Sequence, residues 1–440
     1  MSKLKLVLNL LIVGLLLTGA SAEANPSVTV NVGGANYNVT YTYDSFTNLS
    51  TSSMPWWGNQ TLASQFAAAV GTQLGLSSNN YNWGPFFGYS TALNPPWVDV
   101  CANTHLCPGT SVNDTYQWDW AIASLAGPSA LDTQTSLHAL APKLRTYYTQ
   151  QIMATNFANM NTYDCDLFDS KGVCVSVGGQ QIYVDNPSSN LTSTVVVAGY
   201  KVSPQIRIGG FLNQNINNNT VSSVHMSNAN PLMGLFAVWN QSEDHLGYQV
   251  KIANAYQDKD ISTIREVVGT SEAGTGSTNL NTQSYVGELS YAFLANEDKT
   301  LVRPYAAVRY TRIKQDGYTE QTTGAVTAPL TYASLEDRST TALVGVKLNH
   351  KLAEKVNLTG SLGIEQDIYH HVDNLTATGV SGLTSENFNN NIKRTRPVAS
   401  IGAYFSPAKN QRIAVDVYYQ QLPFQSTGST TAYVNYTIGF

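Results

Sequence analysis

The last ten residues constrain the chain more than any other stretch. In Thr431-Ala-Tyr-Val-Asn-Tyr-Thr-Ile-Gly-Phe440, Val434, Tyr436, Ile438 and Phe440 fall on one face of a strand, and Asn435, Thr437 and Gly439 on the other. The same period of two recurs upstream. Ile413, Val415, Val417 and Tyr419 alternate with Arg412, Ala414, Asp416 and Tyr418. Leu358, Leu362 and Ile364 oppose Thr359, Ser361 and Glu365, and Val344, Val346 and Leu348 oppose Gly345, Lys347 and Asn349. Ala306 and Val308 oppose Ala307 and Arg309; Leu289 and Tyr291 oppose Glu288 and Ser290; Val250 and Ile252 oppose Lys251 and Ala253.

Lys251, Glu288, Arg309, Lys347, Glu365 and Asp416 thus share the polar faces. A soluble sandwich would turn the apolar face inward, whereas a transmembrane barrel turns it to lipid and the charges to a wet lumen. Alternation alone does not separate the two. The terminal aromatic with apolar residues at every second position before it resembles the final-strand signal of bacterial outer-membrane proteins, and this selects the barrel. The resemblance implies recognition of Val434, Tyr436, Ile438 and Phe440 by the barrel-assembly machinery.

Connection lengths agree. Short links near Ser406–Asn410, Leu352–Lys355, Asn296–Thr300, Gln241–His245 and Ser203–Pro204 alternate with longer ones near Tyr369–Lys393, Lys314–Asp337, Gln257–Asn281 and Asn213–Asn230. Short periplasmic turns and long outer loops have this pattern. Counting back through Thr194–Val202 and Gln180–Asp185 gives about twelve antiparallel strands. Val195-Val196-Val197 interrupts the alternation. The fold class is therefore mainly β, a transmembrane barrel over residues 171–440.

The N-terminus reads as a secretory signal peptide. Lys3 and Lys5 precede the apolar run Leu6–Leu17, and Ala20-Ser21-Ala22 follows as a cleavage site, so residues 1–22 are assigned to the signal and to the secretory translocon. The run is shorter than the roughly 20 residues of a spanning helix. Charged residues make up only 12% of the chain, and net charge is −5. That balance suits a barrel in outer-membrane lipid and offers no basic patch for nucleic acid. Export to an oxidising compartment favours local disulfides in the two close pairs, Cys101 with Cys107 and Cys165 with Cys174. Histidines do not cluster about either pair, and no metal or cofactor is implied.

Before the barrel, Leu137, Leu140, Leu144, Tyr148 and Ile152 recur at helical steps, predicting a helix from Leu131 to about Met160 within a linker, 128–170, that starts or kinks at Pro142. Leu137-His-Ala-Leu-Ala-Pro142-Lys-Leu followed by a barrel ending in Phe, with Val302-Arg-Pro-Tyr-Ala-Ala-Val-Arg-Tyr310 inside it, resembles an autotransporter translocator domain over residues 130–440. The resemblance implies that the helix threads the pore and joins the barrel to an exported passenger. The region left for a passenger, 23–127, is short and shows no internal repeat. Asn156, Asn159 and Asn161 near the helix end assign no release site.

Residues 23–127 predict a small α+β domain. Val28–Val32 and Tyr37–Tyr43 flank Gly33-Gly34 as a hairpin, Gln60–Leu74 reads as a helix, and Trp83–Phe87 and Pro95–Trp97 read as aromatic loops. Its tryptophans fill a small core or, where exposed, bind sugars or a host surface, the core being the more ordinary use. His370-His371-Val-Asp373 is the one His–Asp cluster; it offers a metal ligand set or a base, but such a cluster at a loop edge is more often merely solvated. No Gly-x-Ser-x-Gly or His-Glu-x-x-His motif is present. Three functions follow: a translocator displaying residues 23–127, a channel whose N-terminal region plugs it or stays periplasmic, and a barrel enzyme using His370 or His371. The first is the expected one, and it is not an enzyme.

Overall fold

A computed structural model describes residues 25–33, 35–75, 84–91, 96–102, 105–159, 165–185, 188–219, 223–226, 230–322, 326–422 and 427–440. The expected signal peptide and Asn161 lie outside these residues, and the side chain of Cys107 lies outside the described ones. Two units divide the chain, Met1–Gly127 and Pro128–Phe440.

In the first unit β1 (Val28–Val32) and β2 (Ala35–Ser45) form the expected hairpin. Helix α1 (Gln60–Val70) is capped by Asn59, whose Oδ1 accepts from the Leu62 amide at 3.0 Å. It stops four residues before the expected Leu74 because Gly71 turns to φ +51°. Strands β3 (Phe87–Thr91), β4 (Trp97–Ala102) and β5 (His105–Asn113) form a second sheet, and β6 (Gln117–Leu125) joins β2. Of the aromatic segments expected as loops, Trp83 and Pro95 lie outside the described residues, while residues 84–87 and 96–97 run into β3 and β4. Their strand character comes from pairing along the chain, which Pro85, Pro95 and Pro96 hide from a local reading. Trp56, Phe66, Phe86, Phe87 and Trp120 are fully buried at the centre. Each buried indole finds an acceptor: Trp56 Nε1 donates to the Gly88 carbonyl and Trp120 Nε1 to the Asp44 carbonyl, both at 3.0 Å.

The second unit is a closed barrel of twelve antiparallel strands around helix α2 (Ala130–Phe157). Its strands are β7 (Val173–Val184), β8 (Ser189–Ser203), β9 (Ile206–Asn219), β11 (Leu232–Asn240), β12 (Gly247–Arg265), β13 (Gly274–Ala295), β14 (Thr300–Gln315), β17 (Leu335–Ala353), β18 (Val356–Val372), β20 (Thr395–Phe405), β21 (Gln411–Gln421) and β22 (Gly428–Gly439). The last strand closes on the first, from Ser429 opposite Val184 to Gly439 opposite Cys174. Outside the wall, β10 (Val224–Met226) extends β12, while β15 (Tyr318–Thr319), β16 (Thr331–Tyr332) and β19 (Ala377–Thr378) form a small sheet from two long loops.

The outer face is apolar, with Leu212, Leu235, Ile252, Leu289, Val344, Leu362 and Ile401 exposed on it. Tyr200, Tyr248, Phe405, Tyr436 and Phe440 ring the short-turn side, and Tyr183, Tyr256, Tyr285, Tyr369 and Tyr419 the other. Val195 and Val197 are buried while Val196 is 41% exposed. The three valines therefore do alternate; both faces are apolar there because one meets the inner core and the other lipid. A spanning strand needs about 9–11 residues; β12 has 19 and β13 has 22. Most of the expected long loop Gln257–Asn281 is thus strand rising above the apolar band, linked by residues 266–273.

Candidate functional site, the plugged lumen

Helix α2 opens with a cap, Ser129 Oγ accepting from the Asp132 amide at 3.0 Å. Asp132, in the first turn where the helix dipole favours an acid, accepts from the Thr270 amide at 2.8 Å and the Thr270 hydroxyl at 2.7 Å. Those two donors hold its carboxyl below the usual range. Gly269, at φ +53°, is needed there, since a Cβ would lie 2.5 Å from Asp132 Oδ2. Gln134 exchanges hydrogen bonds with the Thr384 backbone, and His138 Nδ1 lies 3.0 Å from Glu386. Residues 266–273 and 373–394 are long-loop segments, so the helix begins at the long-loop end.

From Leu144 to Phe157 every helix residue is buried. Pro142 was expected to start or kink the helix; α2 does not start there but runs through it from Ala130. Proline inside an isolated helix costs about 3 kcal/mol; here the enclosing wall fixes the helix in spite of that. Arg145 Nε donates to the Phe388 carbonyl at 2.6 Å and the Tyr148 hydroxyl to the Leu335 carbonyl at 3.0 Å. Leu137, Leu140, Leu144, Tyr148 and Ile152 pack with Ile261, Leu280, Ile313, Leu330, Leu335 and Phe388 in an apolar core inside the barrel. Lower down, Thr311 Oγ1 donates to Asn156 Oδ1 at 3.0 Å, and Phe157 meets the rings of Tyr418 and Tyr433. The returning chain is tied at the short-turn end. Cys165 is bonded to Cys174, and the Phe440 carbonyl accepts from the amides of Asp169, Lys171 and Val173.

Sequence-selected charges occupy this inner wall in three groups. Arg309 and Glu365, each 2% exposed, make a bidentate pair at 3.0 and 2.9 Å. Lys347 Nζ donates to both Glu288 oxygens at 2.7 and 2.9 Å and lies 4.8 Å from the centre of the Tyr305 ring; Lys251 is opposite Glu288 on the neighbouring strand. Asp416 accepts from Thr359 Oγ1 at 3.0 Å.

Arg396, Asp367 and Asp337, not singled out from the sequence pattern, complete the first group together with His370. Arg396 donates to Glu365 at 3.2 Å and to both oxygens of Asp367 at 2.7 and 2.8 Å. His370 sets Nδ1 2.8 Å from Asp367 and Nε2 3.0 Å from Asp337. A neutral imidazole has one N–H, so carboxyl groups on both ring nitrogens favour the imidazolium. Three cations then meet three anions across β14, β17, β18 and β20. The expectation of a solvated His370 is corrected. A register irregularity opposite Thr340/Thr341 leaves Ile368 unpaired, and it turns both Asp367 and His370 inward while Ile368 and Tyr369 stay exposed. Only His371, 3.0 Å from Asp373, keeps the exposed character. Asp367, two residues from Glu365, was legible by strand parity; the bulge was not.

Below Phe157 the lumen opens into a cavity of about 490 Å³ with a mixed charged lining that includes Asp166, Arg207, Lys251, Glu288, Arg303 and Arg412. Among the described residues no group of three or more His, Cys, Asp or Glu is placed to hold a metal.

A search of curated proteins returns no match. Among solved structures, the translocator domain of autotransporter NalP from Neisseria meningitidis is 16% identical, covering 71% of this chain and 99% of that one with a TM-score of 0.45. The β-domain of the Bordetella autotransporter BrkA is 13% identical, covering 62% and 100% with a TM-score of 0.43. The transport unit of AIDA-I from Escherichia coli is 12% identical, covering 68% and 99% with a TM-score of 0.42. The family model of the autotransporter β-domain matches residues 179–420. More than half of the sequence lies within that match, and the chain belongs to the autotransporters, with an outer-membrane β-barrel as its translocator.

Proposed function

We propose that this autotransporter displays its N-terminal unit, about 100 residues long, on the outside of the cell, tethered by α2 through the barrel. The observation that carries the reading is the direction of the helix. Its first turn is fixed to Thr270 and Thr384 among the long loops, and its last turn points toward the disulfide and both strand ends at the short-turn side. Short turns face the periplasm in such barrels, so the peptide before Ser129 leaves on the outer side. A helix of 28 residues is about 42 Å long and carries the chain from the long-loop end to the level of Tyr418 and Tyr433 inside the barrel.

No catalytic role is assigned to His370 or His371. Both nitrogens of His370 are engaged by carboxylates, which leaves no lone pair for a base. The outward row Val434, Tyr436, Ile438 and Phe440 is read as the segment that the barrel-assembly machinery binds during insertion, with Phe440→Ala lowering the amount of folded barrel in the outer membrane.

Protease shaving of intact cells tests the display. An epitope is placed in the exposed turn between Asn113 and Gln117, where Tyr116 is 63% exposed, with a periplasmic protein as leakage control. Loss of the epitope while the barrel survives is the expected result. Full protection in cells with a folded barrel overturns display and favours a plugged or channel-like barrel with an internal N-terminal unit.

A further inference from the structure

The first unit carries a polar and aromatic face on β3, β4 and β5. In β4, Val98 and Val100 are buried in the core, so Trp97 and Asp99 point to the opposite face of the sheet. Trp97 is 43% exposed there. Two residues along, roughly 7 Å by strand rise, the Asp99 carboxylate accepts from Ser90 Oγ on β3 and from Ser111 Oγ on β5, each at 2.7 Å. The two serines hold the carboxylate in one orientation, and the three side chains make a ladder three strands and about 10 Å wide. Asn113 stands opposite Trp97 at its end. Tyr89, in the bulge of β3, is half-buried beside the ladder; burial, and then the Asp99 carboxylate, push its phenol up.

We propose that this face binds a neutral saccharide, with the apolar face of one sugar ring on the Trp97 indole and its hydroxyls continuing the Ser90–Asp99–Ser111 ladder. Each Asp99 oxygen already accepts one hydroxyl and keeps acceptor capacity for another, while each serine oxygen also accepts. A polyol extends that pattern, and the ladder's width suits a disaccharide. The fixed carboxylate disfavours sialylated or sulfated chains by like charge. An indole platform presents large contact area at little conformational cost. The inference goes beyond display and does not depend on which side of the membrane the unit occupies.

The test applies the full-length protein, in an amine-oxide detergent with no sugar headgroup, to a printed array of neutral, sialylated and sulfated oligosaccharides. Neutral glycans should be retained in preference to acidic ones. Trp97→Ala and Asp99→Asn should each weaken that retention about tenfold or more, as truncation of an aromatic anchor does. Tyr116→Ala, an exposed aromatic in the following turn, should leave it unchanged, and far-ultraviolet circular dichroism checks that every variant is folded. Absence of retention by the folded parent, equal retention by folded Trp97→Ala, or preference for acidic glycans overturns the proposal.

Discussion

The two halves of the barrel lumen are built from the same strands yet hold different interiors. Along β12 the inward residues run from Lys251 near the short turn to Ile261 near the long loops; along β13 from Glu288 to Leu280; along β14 from Arg303 to Ile313. The long-loop half therefore encloses an apolar core with α2, and the short-turn half a charged cavity of about 490 Å³. The helix ends where the wall changes, with Phe157 against Tyr418 and Tyr433. Helix α2 is thus held as a core element in one half and stops above the charged cavity in the other. The belt of Arg309, Glu365, Arg396, Asp367, His370 and Asp337 lines one side of the boundary, where Asn156 and Phe157 meet Arg309 and Glu365 around a small cavity.

Substitutions that ignore this boundary have the largest expected effects. Glu365→Gln leaves Arg309 and Arg396 short of a buried counter-charge, and breaking such a pair costs about 3–5 kcal/mol. The urea midpoint of the refolded barrel should fall accordingly, and an unchanged midpoint would show the belt to be wet. Leu144→Asp puts an acid into the apolar half and should destabilise by several kcal/mol, on the order of other unpaired buried charges. Ser400→Asp in the lower cavity should stay within about 1 kcal/mol, as for a solvated site. Equal losses for the two would dissolve the distinction.

Lys259 adds a dependence on pH in the long-loop half. It is fully buried on the inner face, between Asp258 and Asp260, which lie beyond Tyr256 outside the apolar band. Burial pushes its amine down to about 8. Between about pH 8 and 10.5 the unfolded chain binds more protons at this site than the folded one, so stability rises with pH across that window. Lys259→Met should be more stable than the parent at pH 7, with that rise removed, as followed by urea unfolding over the window. The smallest effect belongs to the exposed helix start. Asp132 is held low by Thr270, so its contribution is present above the usual carboxylate range and is lost as pH falls through the lowered value. Asp132→Asn should remove that acid limb and little else.

Much of the barrel was legible because a lipid face and a wet face enforce a period of two. The row ending in Phe440, the inward placement of Lys251, Glu288, Arg309, Lys347, Glu365 and Asp416, and the alternation of short and long links all follow from it. What escaped depended on contacts between distant residues. Glu365 finds Arg309 and Arg396 from separate strands, and one bulge at Ile368 reverses the parity of His370. Pro142 read as a helix start or kink because local propensity ignores the barrel that encloses the helix from Leu144 onward. In the first unit, β3 and β4 follow prolines, and only pairing makes strands of Phe87–Thr91 and Trp97–Ala102.

The most direct test of the account is a cross-link at the helix start in intact cells. Asp132 and Thr270 touch at 2.7 Å, and cysteines in their places should form a disulfide, identified by peptide mass spectrometry. If α2 passes outward through the lumen, thioredoxin added outside, too large to cross the outer membrane, should reduce that bond in unbroken cells. A bond that forms and is reduced only after the outer membrane is opened would put the helix start on the periplasmic side and contradict the account; so would a folded barrel in which positions 132 and 270 never join.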